Sequence, residues 1–183
     1  MQSRRRHLVL ALLAAVAITC SYAFDAAADA ALEYRVKAAF LYNFAKFVTW
    51  PGTAFASPEA PVVFCVVGED PFGELLESTT KDRKVEGREI EIRRVPHDAV
   101  LAGCHLVFTS EVDGGRMARV LQQAAAAGAL AIGESDDFLT QGGMVRLLVE
   151  EGKVRFDVST RATETVGLKV SSQLLKLARE VER

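Results

Sequence analysis

The amino-acid sequence predicts one α/β domain, in which a mixed, mostly parallel sheet is flanked by helices and followed by an antiparallel hairpin and a long terminal helix. Short apolar runs alternate with segments of helical periodicity, which is the pattern of parallel strands joined by crossover helices. Late in the chain, two strand-like runs are joined by Glu150-Glu151-Gly152, a hairpin signal. Hydrophobic residues make up 50% of the 183-residue chain, which suits a single sizeable core.

The N-terminus has the pattern of a secretory signal peptide. Residues 4–6 are arginines and precede an apolar run at residues 8–18, which small and polar residues follow. The run is shorter than the ~20 apolar residues of a membrane-spanning helix. We therefore predict a signal peptide at residues 1–23 and a mature domain at residues 24–183. A lipoprotein anchored through Cys20 is disfavoured, because the residues before this cysteine do not fit a lipidation signal.

The charge balance argues against nucleic acid as a partner. The full chain has a formal net charge of −2, and removal of residues 1–23 takes away three arginines and no acid, which makes it −5. Proteins that bind phosphate backbones usually present clustered Lys and Arg. The one basic cluster here, residues 81–94, is interleaved with acidic side chains, so we interpret it as a solvated surface.

The first element of the mature chain is a long helix at residues 32–51, which ends at Trp50-Pro51. The predicted buried stripe has steps of three and four residues. It comprises Val36, Phe40, Asn43 or Phe44, and Phe47. Further apolar side chains spread beyond that stripe, and Arg35, Lys37 and Lys46 occupy the other face. The helix therefore either packs between the sheet and a later helix or also forms an interface with a partner.

The middle of the chain predicts two strands with a short helix between them. After a loop at residues 52–60, the apolar run 61–67 predicts a buried strand. Asp70 is a candidate N-cap and Pro71 the first residue of a short helix that extends to Glu77. The alternating run 88–95 predicts a half-buried strand near a sheet edge.

The second half of the chain continues the alternation of strands and helices. Residues 133–143 form a turn-rich loop in which Phe138 is the only large apolar anchor. The predicted elements are a central strand at 104–109, a helix at 115–127, a buried strand at 129–132, hairpin strands at 144–149 and 153–158, and a terminal helix at 161–181.

Two cysteines remain after the predicted cleavage, Cys65 and Cys104, and both belong to apolar runs that predict core strands. An oxidising compartment favours their pairing. The alternative is two buried free thiols. A redox-active pair is disfavoured because no Cys-x-x-Cys motif is present.

The sequence lacks the motifs of common catalytic and metal sites. There is no Gly-x-Ser-x-Gly motif, and the turn at residues 68–73 places Glu69 and Asp70 where a bound phosphate would lie. His97 and His105 have no metal-ligand spacing, and we interpret them as a loop residue and a core histidine. We therefore expect no catalysis, no metal and no cofactor.

Several segments, taken in order, resemble the YfiR family of bacterial periplasmic proteins. Together they cover nearly the whole predicted mature chain, although no single one is diagnostic. The segments are EYRVKAAFLYNFAKFVTWP (33–51), FCVVGEDPFGELLE (64–77), CHLVF (104–108), FLTQGGMV (138–145), VRFDV (154–158) and GLKVSSQLLKLA (167–178).

This resemblance implies a periplasmic repressor that binds the periplasmic sensor region of an inner-membrane diguanylate cyclase, lowering cyclic di-GMP and biofilm formation. It also implies sequestration by an OmpA-like outer-membrane lipoprotein, a homodimer, and a structural disulfide at the spacing of Cys65 and Cys104. The additional cysteine pair of some members is absent; Leu139 and Arg146 lie near its expected position.

The candidate partner-binding residues are Phe44, Phe47 and Trp50, on the hypothesis that exposed apolar side chains of the first and last helices supply the contact. The alternative is that all three belong to the core. A different function also remains open, a periplasmic small-molecule sensor or solute-binding module with an aromatic or anionic ligand in a sheet-edge pocket.

Overall fold

The structure is a computed structural model that describes residues 29–110 and 114–183. The predicted signal peptide and its cleavage site lie outside the described residues. The chain divides into two compact units, Met1–Tyr34 and Arg35–Arg183. The described part of the first, residues 29–34, is helical. The second unit contains all of the strands given below.

The chain forms nine strands and five helices within the described residues. The strands are β1 (Val48–Thr49), β2 (Val62–Val67), β3 (Ile90–Val95), β4 (Leu106–Thr109), β5 (Leu130–Gly133), β6 (Val145–Glu150), β7 (Lys153–Ser159), β8 (Lys169–Val170) and β9 (Glu180–Glu182). The helices are α1 (residues 29–47), α2 (Leu75–Thr80), α3 (Gly114–Ala126), α4 (Thr160–Thr165) and α5 (Ser172–Leu175), and one 3-10 turn spans Gly52–Ala54.

Seven strands form one mixed sheet in the order β3-β2-β4-β5-β6-β7-β9. The neighbours from β3 to β6 are parallel, β6 and β7 are antiparallel, and β9 runs parallel to β7. The crossovers from β2 to β3 and from β4 to β5 lead in opposite directions, so the right-handed rule places α2 and α3 on opposite faces. The predicted α/β fold with a mostly parallel sheet is confirmed.

The hairpin prediction is also confirmed. Glu150 pairs with Lys153 across a two-residue turn in which Glu151 and Gly152 have φ angles of 51° and 70°. Positive φ at both positions matches the right-handed twist of the flanking strands. The predicted edge strand is likewise found, because β3 ends the sheet.

The core lies on both faces of the parallel strands. All six residues of β2 and all four of β4 are buried, as expected for strands covered on both faces. Phe138 is fully buried, which confirms its predicted role as the anchor of its loop. A Cβ atom at Gly133 or Gly143 would overlap its ring, so these glycines make room for the anchor.

The buried face of the first helix is shifted by about one position from the predicted stripe, of which only the alternative member Phe44 is buried. The fully buried residues of α1 and its end are Ala38, Leu41, Phe44, Ala45 and Val48. By contrast, Phe40 and Phe47 are only partly buried, and Val36 and Asn43 are exposed. Small alanines at two turns of the buried face let the helix approach the sheet closely, and this outweighs the larger side chains on the neighbouring face.

The ends and charges of that helix also differ from the prediction. The helix stops at residue 47, because the chain becomes extended there and Val48 pairs with Val170 of β8. Lys37, predicted on the polar face, is 4% exposed and forms an ion pair with Glu134 at the end of β5.

The predicted long terminal helix is wrong. Residues 160–182 form α4, β8, α5 and β9 instead. Gly167 has φ +77° and follows the end of α4, a left-handed position typical of a glycine that ends a helix. Ser171 then caps α5, its hydroxyl accepting a hydrogen bond from the Gln173 N–H at 3.1 Å.

The short helix predicted after Pro71 begins later. Asp70 Oδ1 accepts a hydrogen bond from the Phe72 N–H at 2.8 Å, which closes a local turn rather than capping a helix. The helix itself, α2, starts at Leu75. In residues 29–110 and 114–183, no helix has the length and apolar character needed to cross a membrane.

Candidate functional site

The disulfide ties β2 to the segment that enters β4. Cys65 and Cys104 are bonded with their Cα atoms 5.9 Å apart, and both residues are buried. The predicted pairing is confirmed. The bond closes a loop of 39 residues that contains α2 and β3. It therefore limits the conformational freedom of this loop in the unfolded chain.

His105, the residue after Cys104, forms hydrogen bonds with several surrounding residues. Its Nδ1 accepts a hydrogen bond from the Val63 N–H, and its Nε2 donates to the Ala54 carbonyl, both at 3.1 Å. This arrangement requires the neutral imidazole with its proton on Nε2. Burial lowers the pKa of His105, and the nearby Arg88 and Arg93 act in the same direction. His105 is therefore a core histidine, as predicted.

Trp50 is one of the residues that form hydrogen bonds with His105. It is 5% exposed, and its indole Nε1 donates a hydrogen bond to the His105 carbonyl at 3.1 Å. Phe55 stacks on the His105 ring with centroids 4.5 Å apart. The hypothesis that Trp50 is an exposed contact residue is therefore wrong, because its ring and its donor are both used inside the fold.

Phe44 is also inside the fold. It is 0% exposed, and its ring packs against Phe156 of β7 with centroids 5.0 Å apart. The hypothesis that Phe44 is an exposed contact residue is wrong for the same reason as for Trp50. Phe47 is partly buried, so its role in binding a partner stays a prediction.

Three apolar side chains that are not buried share one face of α1, and we call them the outer stripe: Val36, Phe40 and Phe47. The exposed Asn43 lies on this face between Phe40 and Phe47. Val36 is 38% exposed. The Lys46 Nζ lies 6.0 Å from the Phe47 ring centroid, so a cation borders the stripe. This face was predicted to be buried in the core. Alanines at residues 38 and 45, on the opposite face, are the signal that identifies the closely packed side.

A pocket of about 560 Å³ lies where β3 ends and α3 begins. Its lining residues are Pro96, His97, Asp98, Gly115, Arg116 and Arg119. The connections of β2 and β4 leave the sheet in opposite directions at this edge, the position where open α/β sheets usually bind ligands. His97 packs against Gly68, where a Cβ atom would overlap the imidazole.

A buried carboxylate holds the C-terminal part of the sheet. Asp157 is 1% exposed and accepts hydrogen bonds from Arg146 Nη2 at 2.8 Å and from Arg179 Nη2 at 2.7 Å. Burial by itself raises the pKa of Asp157, but the two arginines outweigh it and the net pKa is lowered. Arg146 also donates to the Asp136 carbonyl at 2.9 Å, which extends this network to the loop after β5.

These arrangements offer hydrogen bonds, ion pairs and apolar contacts. Among the described residues, no group of three or more His, Cys, Asp or Glu side chains is placed to hold a metal ion. Two features of the described residues are candidate binding surfaces, namely the outer stripe of α1 and the pocket at the end of β3.

Comparison with known proteins gives one family and a general fold. The sequence model of the family described as YfiR/HmsC-like matches residues 34–179. No curated protein matches the chain. A conserved domain protein from Vibrio cholerae has a similar structure, with a TM-score of 0.51 and 12% identity over 66% of this chain and 54% of that chain.

A second solved structure, an ABC domain in complex with L-Trp from Streptococcus pneumoniae, gives a TM-score of 0.47 and 10% identity over 66% of this chain and 55% of that chain. The matched part is thus about half the length of either solved chain. At 12% identity, the first of these similarities shows a shared fold alone and says nothing about a ligand.

Proposed function

The chain belongs to the YfiR/HmsC-like family, and from this membership we propose that it is a periplasmic repressor of an inner-membrane diguanylate cyclase. The family is regulatory and periplasmic and acts in cyclic di-GMP signalling. In our proposal the protein binds the periplasmic sensor region of the cyclase and holds the enzyme inactive, which lowers cyclic di-GMP and biofilm formation. The observation that carries the proposal is the family match over residues 34–179.

Such repression requires binding and no chemistry. A repressor shifts its partner only by binding one state of that partner more tightly than the other. A difference of about 1.4 kcal/mol in binding free energy changes the equilibrium tenfold. A small set of well-placed contacts is sufficient for this, and aromatic side chains are common among such contacts.

The surface that we assign to the cyclase is the outer stripe of α1. Phe40 and Phe47 retain partial exposure, and Val36 extends the stripe. Arg35 and Lys46 are exposed on the same helix, so the surface combines an apolar centre with a basic border. An OmpA-like outer-membrane lipoprotein is the proposed second partner, which sequesters the repressor and releases the cyclase.

Calorimetric titration with the periplasmic region of a cyclase from the same genome tests the proposal. We expect the purified oxidised protein to bind with micromolar or higher affinity. The Val36→Glu variant should bind at least about tenfold more weakly, because a charge is placed at the N-terminal end of the apolar stripe. Val100→Glu is the matched control, since Val100 is 79% exposed in a loop before β4 and should leave the affinity unchanged.

One control and two contradicting results complete this test. Thermal unfolding must show that Val36→Glu is folded, so that a loss of affinity reports the surface. Equal affinities for wild type, Val36→Glu and Val100→Glu would remove the outer stripe from the interface. Absence of binding to every periplasmic cyclase region of that genome would overturn the repressor function itself.

The second candidate function is a periplasmic small-molecule sensor or solute-binding module. The pocket at the end of β3 favours it, because its volume of about 560 Å³ lies in the usual range for small ligands and Arg116 and Arg119 line it. Thermal shift against a panel of small carboxylates and phosphates tests this function. A stabilising ligand whose effect is lost in Arg119→Ala would support the sensor, and no shift across the panel would exclude these ligands.

A further inference from the structure

Strand β3 presents an open edge of the sheet. It pairs with β2 on one side and ends the strand order on the other. The Val62 N–H donates to the Glu89 carbonyl and the Gly68 N–H donates to the Val95 carbonyl, each at 2.9 Å. The odd-numbered residues therefore turn their backbone groups toward β2, since these directions alternate along a parallel strand. The backbone groups of Ile90, Ile92 and Arg94 point to the open side.

No residue of β3 is buried. A groove of about 880 Å³ runs between α2 and β3, and Ile90 and Ile92 form part of its lining. Proteins usually shield an open edge of this length or pair it, because its unpaired backbone groups are a template for another strand. In the part of the chain that the structure describes, no strand lies beside this edge.

The edge is also held rigid. Arg94 donates to Asp70 Oδ2 at 2.6 Å and to the Gly73 carbonyl at 2.7 Å, and it forms an ion pair with Glu77 of α2. These contacts hold its side chain against α2 and away from the open side. A rigid strand loses little conformational entropy when it pairs, which favours association.

The charges along β3 are self-complementary. Glu91 and Arg93 lie two residues apart on one face and form an ion pair within the strand, with Arg93 Nε 2.6 Å from Glu91 Oε1, while their side chains stay 45% and 43% exposed toward a second chain. If a second β3 runs antiparallel with Ile92 at the centre, Glu91 of each copy faces Arg93 of the other. Centring on Glu91 or on Arg93 would instead place identical charges opposite each other, which is destabilising.

We propose that β3 pairs with β3 of a second copy of this chain, antiparallel and centred on Ile92. The sheet then continues across the two-fold axis. Ile92 faces its own copy, and Ile90 faces Arg94, so these positions exchange backbone hydrogen bonds. Glu91 and Arg93 face each other at the positions between them, where opposite side chains come closest.

Reversing the charges one at a time tests the interface by sedimentation equilibrium of the full purified protein. Arg93→Glu places two acids opposite each other, and Glu91→Arg places two arginines opposite each other. We expect each single variant to dimerise about tenfold or more weakly than wild type. An equimolar mixture of the two variants should form a heterodimer, because the positive charge introduced in one chain then faces the negative charge introduced in the other. The double variant should dimerise like wild type.

The matched control is Lys153→Glu, which makes the same change from a positive to a negative charge as Arg93→Glu. Lys153 is exposed on β7, which is separated from β3 by four strands of the sheet. It should leave dimerisation unchanged. A monomeric wild type, or single variants that dimerise like wild type, would overturn the proposal. So would a mixture of the two single variants that stays monomeric. A dimer that is lost only in Val36→Glu would assign the interface to the outer stripe instead. None of these results depends on a cyclase, so the proposed function stands or fails separately.

Discussion

Arg179 Nη2 lies 2.7 Å from Oδ2 of the buried Asp157, and this contact fastens the last strand to the sheet. Strand β9 begins at the next residue and pairs with β7 through Glu180, which is opposite Asp157. The Arg179 N–H also donates to the Phe156 carbonyl at 2.9 Å. The Asp157 carboxylate therefore adds a buried side-chain contact to the backbone pairing that holds the C-terminal segment.

Asp157→Asn should destabilise the protein by about 3 kcal/mol, because Arg146 and Arg179 lose the buried charge that both of them pair with. The free energy of unfolding from urea titrations measures this. Asp136→Asn is the matched control, since that side chain is fully exposed and should cost less than about 0.5 kcal/mol. Equal losses of unfolding free energy in the two variants would show that the ion pairs of the buried Asp157 stabilise the protein no more than a charge at the surface does.

His105 should make stability depend on pH below neutrality. The unfolded chain binds a proton at the ordinary histidine pKa of about 6.5, whereas the folded pKa is lowered by burial. The unfolded state therefore binds more protons in this window. The free energy of unfolding should be constant above pH of about 6.5 and should decrease as the pH falls below that value.

Urea titrations at several pH values check this expectation. His105→Gln should be less stable at every pH but should lose the decrease that the wild type shows. His97→Gln keeps His105 and should retain it. If the wild type were equally stable across the acidic window, the lowered pKa of His105 would be refuted.

The sequence was sufficient to predict the sheet, because its strands are continuous apolar runs and its hairpin has a strong local turn signal. The sequence was not sufficient to predict which face of α1 is buried. Two neighbouring faces of that helix are apolar, and the choice between them depends on Phe156, more than a hundred residues away. The same long-range dependence explains why Phe44 was offered as a surface residue.

The terminal segment was mispredicted for a related reason. Val166, Val170, Leu174 and Val181 keep helical spacing, but the spacing does not show that Arg179 binds Asp157 of another strand. The disulfide was predictable, because only one intrachain pairing exists after the predicted cleavage. The pocket at the end of β3 was not, because it forms where segments distant in sequence meet.

Reduction of the Cys65–Cys104 bond should lower the free energy of unfolding by about 4 kcal/mol, since it frees a loop of 39 residues in the unfolded state. Urea titrations with and without a reductant measure this loss. The double variant Cys65→Ala/Cys104→Ala should give the lower value in both conditions. A reductant effect in that double variant would mean that another part of the molecule is responsible.

Phe44→Ala should cost about 3–5 kcal/mol, because it removes a fully buried ring that packs against Phe156. Phe47→Ala should cost only about 1–2 kcal/mol, since its ring is partly exposed. Urea titrations of the two variants give the comparison. The difference between the two losses in stability thus distinguishes a core phenylalanine of α1 from one on the outer stripe.

Partner binding should rank these two variants in the opposite order. Below the urea concentrations at which either unfolds, Phe44→Ala removes a buried ring that stacks on Phe40 with centroids 5.7 Å apart, but it leaves Val36 and Phe47 unchanged. This variant should therefore keep most of its affinity for the cyclase region. Phe47→Ala shortens the stripe and should weaken binding about tenfold, a typical effect of truncating an aromatic contact. If the folded Phe44→Ala protein lost affinity and Phe47→Ala kept it, the contact surface would have to include the side of α1 that this structure buries.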